Sequence, residues 1–371
     1  MPSADSKHAE ISRQIRGEIA SGKYSAGVRL PSEAQLVKRF QVSRPTAAQA
    51  LKTLAREGMV ERRAGSGSYV TDSPTARRGV RQIGMIVPGL SRIEVFDVIC
   101  GELASLARVE DVGILWGGSP RTASDHDMGS AEAEELCATF IAREVSGVVF
   151  APFEHTAEKE VTNRRITERL RSAGIPVVLL DRDLVPFPHR SGFDLVGIDN
   201  FAGGYILAEH LIKLGAKRLA FFTRPLSATT VEGRKAGVCA AMLARGLTIA
   251  RDFLHMGDPL NVSCVRRLTA GKTFDAVICT NDHTAAELLQ TLSKLHISVP
   301  RQLRVVGFDD VRFATLLGVP LTTIHQPCRE IAVTAFRAIL ERIEDPALPA
   351  RSIALTPRLV VRESCGAYLT T

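Results

Sequence analysis

The chain has no uninterrupted apolar run of about 18 residues, the length a helix needs to cross a membrane. Its opening residues, MPSADSKHAEISRQ, are polar and lack the apolar core of a secretion signal. The 7 cysteines are odd in number, scattered and without a CxxC pair, and the 9 histidines form no HExxH or comparable ligand spacing. That usage suits reduced, buried thiols rather than a disulfide or zinc framework. Pro88-Gly89-Leu90-Ser91 stands where a Gly-x-Gly-x-x-Gly dinucleotide loop would follow the first strand of the larger part. A P-loop and a Gly-x-Ser-x-Gly elbow are missing too. These absences lead to the expectation of a cytoplasmic chain with no membrane partner, no metal, no cofactor and no enzymatic activity.

What is present is divided unevenly. At 371 residues the chain is too long for one typical core and suits a small domain joined to a larger, two-lobed one. Residues 1–82 hold 15 Lys and Arg against 7 Asp and Glu, a net of +8, whereas the other 289 hold 32 against 33, a net of −1. The whole positive excess therefore lies in the first fifth. Charge gathered this way suits phosphate neutralisation, the source of most non-specific affinity for nucleic acid.

That same fifth reads as a helix-turn-helix followed by a two-stranded wing. Ile11, Ile15 and Ile19 recur every four residues in a first helix ending near Gly22. Ser32 can cap a helix from Glu33, with Gln35 three residues on to close a capping box. Leu36, Val37 and Phe40 form its apolar stripe; Gln41-Val42 is the turn, and Ser43 caps the next helix. Pro45 falls in that helix's first turn, where its missing N–H removes no bond. Ala47, Ala50, Leu51 and Leu54 recur at helical spacing, and Met59-Val60 and Tyr69-Val70 flank Gly65-Ser66-Gly67 as a hairpin would.

These phrases resemble the GntR family of bacterial regulators: Leu30-Pro31-Ser32-Glu33, Val42-Ser43-Arg44 with Thr46, Ala50-Leu51 with Leu54, Glu57-Gly58, and Gly65-Ser66-Gly67. The resemblance implies a DNA-reading head. Ser43, Arg44, Pro45 and Thr46 then open the recognition helix, the end that enters the major groove. Arg44 is the candidate guanine reader, through bidentate contact with O6 and N7, with a phosphate contact as the alternative. Ser43 and Thr46 suit phosphate and the helix cap; Lys38, Arg39, Arg62 and Arg63 are phosphate candidates. Gly65 and Gly67 let the wing backbone approach the duplex. Ala48 stands where several relatives carry a base-reading arginine, so no operator sequence carries over. Some GntR heads are fused to aminotransferase-like domains that use pyridoxal phosphate, but no lysine here stands in a convincing motif for it.

Residues 72–82 lose apolar periodicity and read as a linker, at most ~35 Å long if extended. It separates a head at 1–71 from a domain at 83–371. That domain alternates apolar strands with helical segments: strands at 83–87, 112–116, 145–151, 176–181, 195–198, 218–223, 276–280 and 304–308, and helices at 201–214, 233–245 and 284–295. Both faces of the strands are apolar, as in parallel sheets covered by helices, so the fold class is a doubly wound α/β architecture.

From Ile83 onward the chain resembles the LacI-type effector-binding domain, itself similar to periplasmic sugar-binding proteins. The phrases are Leu180-Asp181-Arg182, Val196-Gly197-Ile198-Asp199-Asn200 with Gly203-Gly204, Glu209-His210-Leu211, Gly233-Arg234 with Gly237, Thr280-Asn281-Asp282, Val306-Gly307-Phe308-Asp309-Asp310, and Leu321 through Pro327. The combination is similar to the arabinose-repressor-type subfamily. It implies two Rossmann-like lobes joined by three crossings: the first to about Leu180 plus 311–345, the second spanning 181–310 and a final strand near 359–361. Ligand is expected in the cleft, from Arg182, Arg234 and Asp282 with Asp181, Asp199, Thr230 and Gln326, and from Ser91, Arg92 and Phe96 of the first lobe. Asp181 and Asp199 equally suit helix capping or holding Arg234. Pro259-Leu260 occupies the region where a stacking aromatic is common, and Trp116, the only tryptophan, is either its substitute or core. The implied function is a homodimeric repressor on a palindromic operator, released by a sugar; a nucleobase or phosphorylated sugar as effector, or activation in place of repression, is the alternative.

Arg44→Ala is expected to cost about 1–3 kcal/mol of operator affinity and to relax specificity at one position of each half-site. Binding measured across all base variants checks this; uniform weakening assigns Arg44 to phosphate.

Overall fold

Contacts divide the chain where its charge divides. In the computed structural model, which describes residues 7–56, 58–63, 66–71, 81–88, 94–116 and 129–369, Met1–Arg81 and Gln82–Thr371 form two units. Most of the expected linker, residues 72–80, lies outside the described residues, as do Gly65, Ser91 and Arg92.

The smaller unit holds α1 (Lys7–Ala20), α2 (Glu33–Phe40), α3 (Arg44–Arg56), β1 (Val60–Arg63) and β2 (Gly67–Val70). The capping box forms: the Gln35 N–H donates to Ser32 Oγ at 3.3 Å and the Ser32 N–H donates to Gln35 Oε1 at 2.8 Å. Gln41 at φ 51° turns the chain in the left-handed region between α2 and α3. Ile11, Ile15 and Ile19 pack with Leu36, Ala47, Leu51 and Leu54 in one core, sealed by Val60 and Val70 of the wing. The wing strands pair antiparallel, from Val60↔Val70 to Arg63↔Gly67.

The larger unit runs β3 (Gln82–Ile86), α4 (Glu94–Val109), β4 (Gly113–Trp116), α5 (Ser130–Ala142), β5 (Gly147–Phe150), α6 (Lys159–Ser172), β6 (Val177–Leu180), β7 (Asp194–Ile198), α7 (Asn200–Lys213), β8 (Leu219–Thr223), α8 (Thr230–Ala244), β9 (Leu254–Met256), α9 (Val262–Thr269), β10 (Ala276–Cys279), α10 (Asp282–Lys294), β11 (Arg304–Val306), β12 (Thr323–His325), α11 (Cys328–Glu344), β13 (Ser352–Leu355) and β14 (Arg358–Val360). The first lobe is a parallel sheet in the order β13-β7-β6-β5-β3-β4, the second a parallel sheet in the order β11-β10-β8-β9. β12 pairs antiparallel with β14 and touches the second lobe through Val306↔Thr322. Every side chain of β5, β6, β7, β8 and β10 is buried, as the apolar runs require.

The strand at 194–198 corrects the expected lobe boundary. Its backbone pairs with β6 and β13 of the first sheet, so the chain passes to the second lobe only after Ile198, and it returns at Gln326-Pro327 rather than at 311, because Val311 and β12 are bonded to the second lobe. β9 escapes the periodicity reading because it is three residues long and two of them are exposed. The three crossings are short: Asp199 between β7 and α7, Gln326-Pro327 between β12 and α11, and Thr356-Pro357 between β13 and β14.

Two glycines explain how α7 and α8 pack. A Cβ on Gly204 would lie 2.0 Å from the Arg234 carbonyl oxygen, and one on Gly237 would lie 2.0 Å from that of Phe201. The backbones of the two helices therefore touch, and α8 is held at a fixed height above the second sheet. Gly204→Ala is expected to destabilise the larger unit by about 1–3 kcal/mol through overpacking. Gly101→Ala, in α4 with open space around its added methyl, should be neutral or slightly stabilising. Thermal midpoints of the two variants check the contrast.

Candidate functional site

The head presents its basic residues around the start of α3. Ser43 Oγ lies 2.7 Å from Thr46 Oγ1 and 3.4 Å from the Thr46 N–H, so both hydroxyls are engaged at the cap. The Arg44 side chain is 81% exposed and only loosely tethered, its Nε 3.4 Å from Glu33 Oε2. Pro45 and Lys38 are exposed beside it. Glu33 also holds Arg62 of the wing at 2.8 Å, so one carboxylate orients basic groups from α3 and β1 together. Arg39 has another job: its fork grips Glu18, with Nη1 at 2.8 Å, and joins α2 to α1. That hydrogen bonding holds the Glu18 carboxyl at about 2, well below its ordinary value. Arg63 pairs with Glu61 at 2.9 Å and lies over the Tyr69 ring at 4.8 Å. Gly67 has φ +118°, and a Cβ there would meet the Arg29 guanidinium at 2.7 Å. Arg29 is exposed beside the wing and is a basic group the motif reading passed over.

In the larger unit a cavity of about 1200 Å³ lies between the two lobes. The carboxyl ends of their strands supply its floor, the position open α/β sheets use for ligands. Asp181 and Arg182 directly follow β6, with Asp181 at φ 68°, a strained conformation for a non-glycine residue. Arg182 is buried; it pairs with Glu154 beyond β5 and with Asp181 Oδ2 at 3.1 Å, and its guanidinium lies 5.2 Å from the Phe96 ring centre. Arg234 projects from α8 of the opposite lobe. It donates through Nε to Asn200 Oδ1 at 2.8 Å and through Nη1 to the Thr280 carbonyl, and lies 3.7 Å over the Phe308 ring, with Asp309 at 3.9 Å. Asp309 follows β11 and accepts a 2.6 Å hydrogen bond from Gln326 Nε2, and the buried Gln326 Oε1 has no partner among the described residues.

The electrostatics follow from burial. Burial pushes the Asp309 carboxyl from its ordinary value up to about 7, against the pull of Arg234 and Gln326. Burial also raises Glu154, but Arg182, His155 and Arg234 outweigh it and leave that carboxyl below the usual range. The floor thus holds two guanidinium groups among Glu154, Asp181 and Asp309, with an aromatic ring beneath each cation.

Phe96, Asp181, Arg182, Thr230, Arg234 and Gln326 all line this cavity. Asp282 does not. It is fully buried, with Oδ1 accepting from Thr323 Oγ1 at 2.6 Å and Oδ2 from the Val311 N–H at 3.1 Å, so its carboxyl ties α10 to β12. Asp199 caps α7, accepting the Ala202 N–H at 2.9 Å, and its exposed side chain is not part of the described lining. Trp116, at the end of edge strand β4, and Pro259-Leu260 are likewise outside that lining. The sequence reading missed Glu154, Asp309 and Arg224. All three lie just past a strand's carboxyl end, which is the signal that would have found them.

Residues 7–70 match the bacterial regulatory proteins of the gntR family, and residues 208–365 match the periplasmic binding protein-like domain. The chain is 27% identical over 369 residues to the arabinose metabolism transcriptional repressor of Geobacillus stearothermophilus, covering 96% of this chain and 97% of that protein. It is 32% identical over 231 residues to the ribose operon repressor of Escherichia coli (strain K12), covering 61% of this chain and 67% of that one. Among solved structures, a LacI family transcriptional regulator from Enterococcus faecium with bound ribose superposes with a TM-score of 0.61 at 22% identity, covering 76% of this chain and 98% of that one.

The raised Asp309 pKa has a definite sign in stability. The folded state holds this proton more tightly than the unfolded chain, so its contribution is fully present below the ordinary aspartate value and is lost as pH rises to about 7. Asp309→Asn is expected to flatten the fall in stability between pH 4 and pH 7 (denaturant midpoints across that range check it), and an unchanged slope would remove Asp309 as the cause.

Proposed function

The chain belongs to the GntR family of transcriptional regulators that carry a LacI-type effector-binding domain, and we propose that it represses sugar-utilisation genes until a neutral sugar fills its cleft. The observation that carries the effector class is the floor of the cavity. A guanidinium already paired with a carboxylate is a fork for neighbouring hydroxyls, and the ring beside it offers an apolar face to exclude water. Glu154 and Asp181 already match the two arginines, so no positive excess is left at the floor for a phosphate ester or a sugar acid. Gln326 lines the cavity, and its buried Oε1 has no partner among the described residues, so a ligand hydroxyl that reached it would find a free acceptor.

The lobes already touch on both sides of the cavity. Glu154 Oε2 accepts the Ala228 N–H at 3.1 Å, the His155 N–H donates to the Leu226 carbonyl at 2.8 Å, and Lys159 Nζ donates to the Ser227 carbonyl at 2.6 Å. Beyond the opposite wall the Arg312 N–H donates to Glu94 Oε1 at 2.8 Å. A sugar bridging Arg182 and Arg234 favours this closed form. Linkage then requires unequal affinity of the sugar for the DNA-competent and DNA-released states. In our reading the protein acts in the cytoplasm as a homodimer, two heads meeting a palindromic operator with half-site centres one helical turn apart.

Thermal-shift measurements on the full chain against pentoses, hexoses, sugar acids and purines check this. A neutral sugar at ~100 times its dissociation constant should add about 2.7 kcal/mol of stability, and Arg234→Ala should abolish the gain. The same sugar should release a duplex selected from random sequence. A shift with purines or phosphate esters alone overturns the sugar reading; a duplex retained by the sugar-bound protein overturns release.

A further inference from the structure

The cavity is larger than one sugar ring needs. Its volume of about 1200 Å³ exceeds the ~300–1,000 Å³ typical of pockets for drug-sized ligands. Hydrogen bonds at Glu154, His155, Lys159 and Glu94 bridge the lobes around it, so the cavity belongs to a form in which the lobes already touch. The floor described above leaves a second stretch of wall unused.

That stretch carries a related set of groups. Arg224, just past β8, pairs with Glu287 of α10. The other oxygen of Glu287 lies 3.3 Å from His283 Nε2. The His283 ring meets Phe313 edge to face, with centroids 6.5 Å apart and planes at 73°. All four residues line the same cavity as Arg182 and Arg234. The cluster thus runs from arginine through carboxylate and imidazole to an aromatic ring, whereas at the floor Arg182 and Arg234 lie directly over Phe96 and Phe308. Its local charge disfavours an anion: Glu94, Asp97 and Glu287 line the cavity there against Arg224 and Arg312, and Asp258 lies 4.0 Å from Arg224.

Resting on the sugar reading above, we infer that the effector carries a second hydroxylated ring, as in a disaccharide or glycoside, and that Arg224, Glu287, His283 and Phe313 form the outer subsite that holds it. The fork of Arg224 takes paired hydroxyls, Glu287 accepts from them, and Phe313 covers the C–H face of the ring. A phosphate in that position would compete with Glu287 for Arg224 and lie among further carboxylates.

Calorimetric titration of the full chain with matched pairs tests the subsite: D-glucose against cellobiose, D-xylose against xylobiose, and L-arabinose against arabinobiose. At least one disaccharide should bind ten-fold or more tightly than its single ring. Arg224→Ala and Phe313→Ala, each with an unaltered thermal midpoint, should shrink that gap to about two-fold and leave single-ring binding unchanged. Arg234→Ala should remove both. Equal affinity for one ring and two, or a gap indifferent to Arg224→Ala and Phe313→Ala, overturns the outer subsite while leaving the sugar reading intact. Tighter binding of a sugar phosphate than of any disaccharide overturns the subsite's chemistry. Silence towards every sugar overturns the sugar reading and this inference with it.

Discussion

The cost of burying two guanidinium groups shapes the effector-binding unit. An arginine taken out of water needs both an opposite charge and hydrogen-bond acceptors, or it destabilises the fold by several kcal/mol. Arg182 has the opposite charges of Glu154 and Asp181, although its Nε and Nη1 make no hydrogen bond of good geometry among the described residues; Arg234 has Asn200, the Thr280 carbonyl and Asp309, and each lies over a phenylalanine. Much of the surrounding sequence follows from this. Gly204 and Gly237 allow α8 to lie against α7 so that Arg234 reaches Phe308. Asp282, itself pushed well above its ordinary value by burial and by the neighbouring Asp309, fastens α10 to β12 and so holds the strand that leads to Gln326.

The head follows a different economy of charge. Its arginines lie at the surface, where single ion pairs contribute little to stability. Their pairing instead sorts them by role. Arg39 is gripped by Glu18 and serves the packing of α1 on α2, whereas Arg44 is exposed and lightly held. Residues that read alike in sequence as basic and helical thus divide into a structural one and one available to DNA.

The sequence made the head legible almost residue by residue, because capping boxes and hairpin turns are local devices. Ser32 and Gln35 three apart admit few other uses, and the hydrogen bonds form as expected. The alternating α/β texture was legible for the same reason, since β5, β6 and β8 are apolar on both faces. Pairing was not legible. Nothing in Asp194–Ile198 indicates which sheet it joins; it lies between β6 and Ser352–Leu355, and the second partner comes more than 150 residues later. The site was read through motif phrases, and these name residues without saying which way they face. Asp282 and Asp309 belong to equally characteristic phrases, yet one turns inward to Thr323 and the other lies at the cavity. Asp199 fell to the capping role that its own sequence reading had left open.

The three lobe crossings comprise one residue, then two, then two, and the longer pair each contain a proline. A segment that short has few free torsions, and proline removes one more by fixing φ. The lobes are therefore geared rather than tethered: a small change in a handful of backbone angles swings two rigid bodies, with little room for loose intermediate poses. Gln326 belongs to this gearing and lines the effector cavity as well. A ligand hydroxyl that engaged it would act on the crossing itself, and occupancy and lobe angle would then be one mechanical variable.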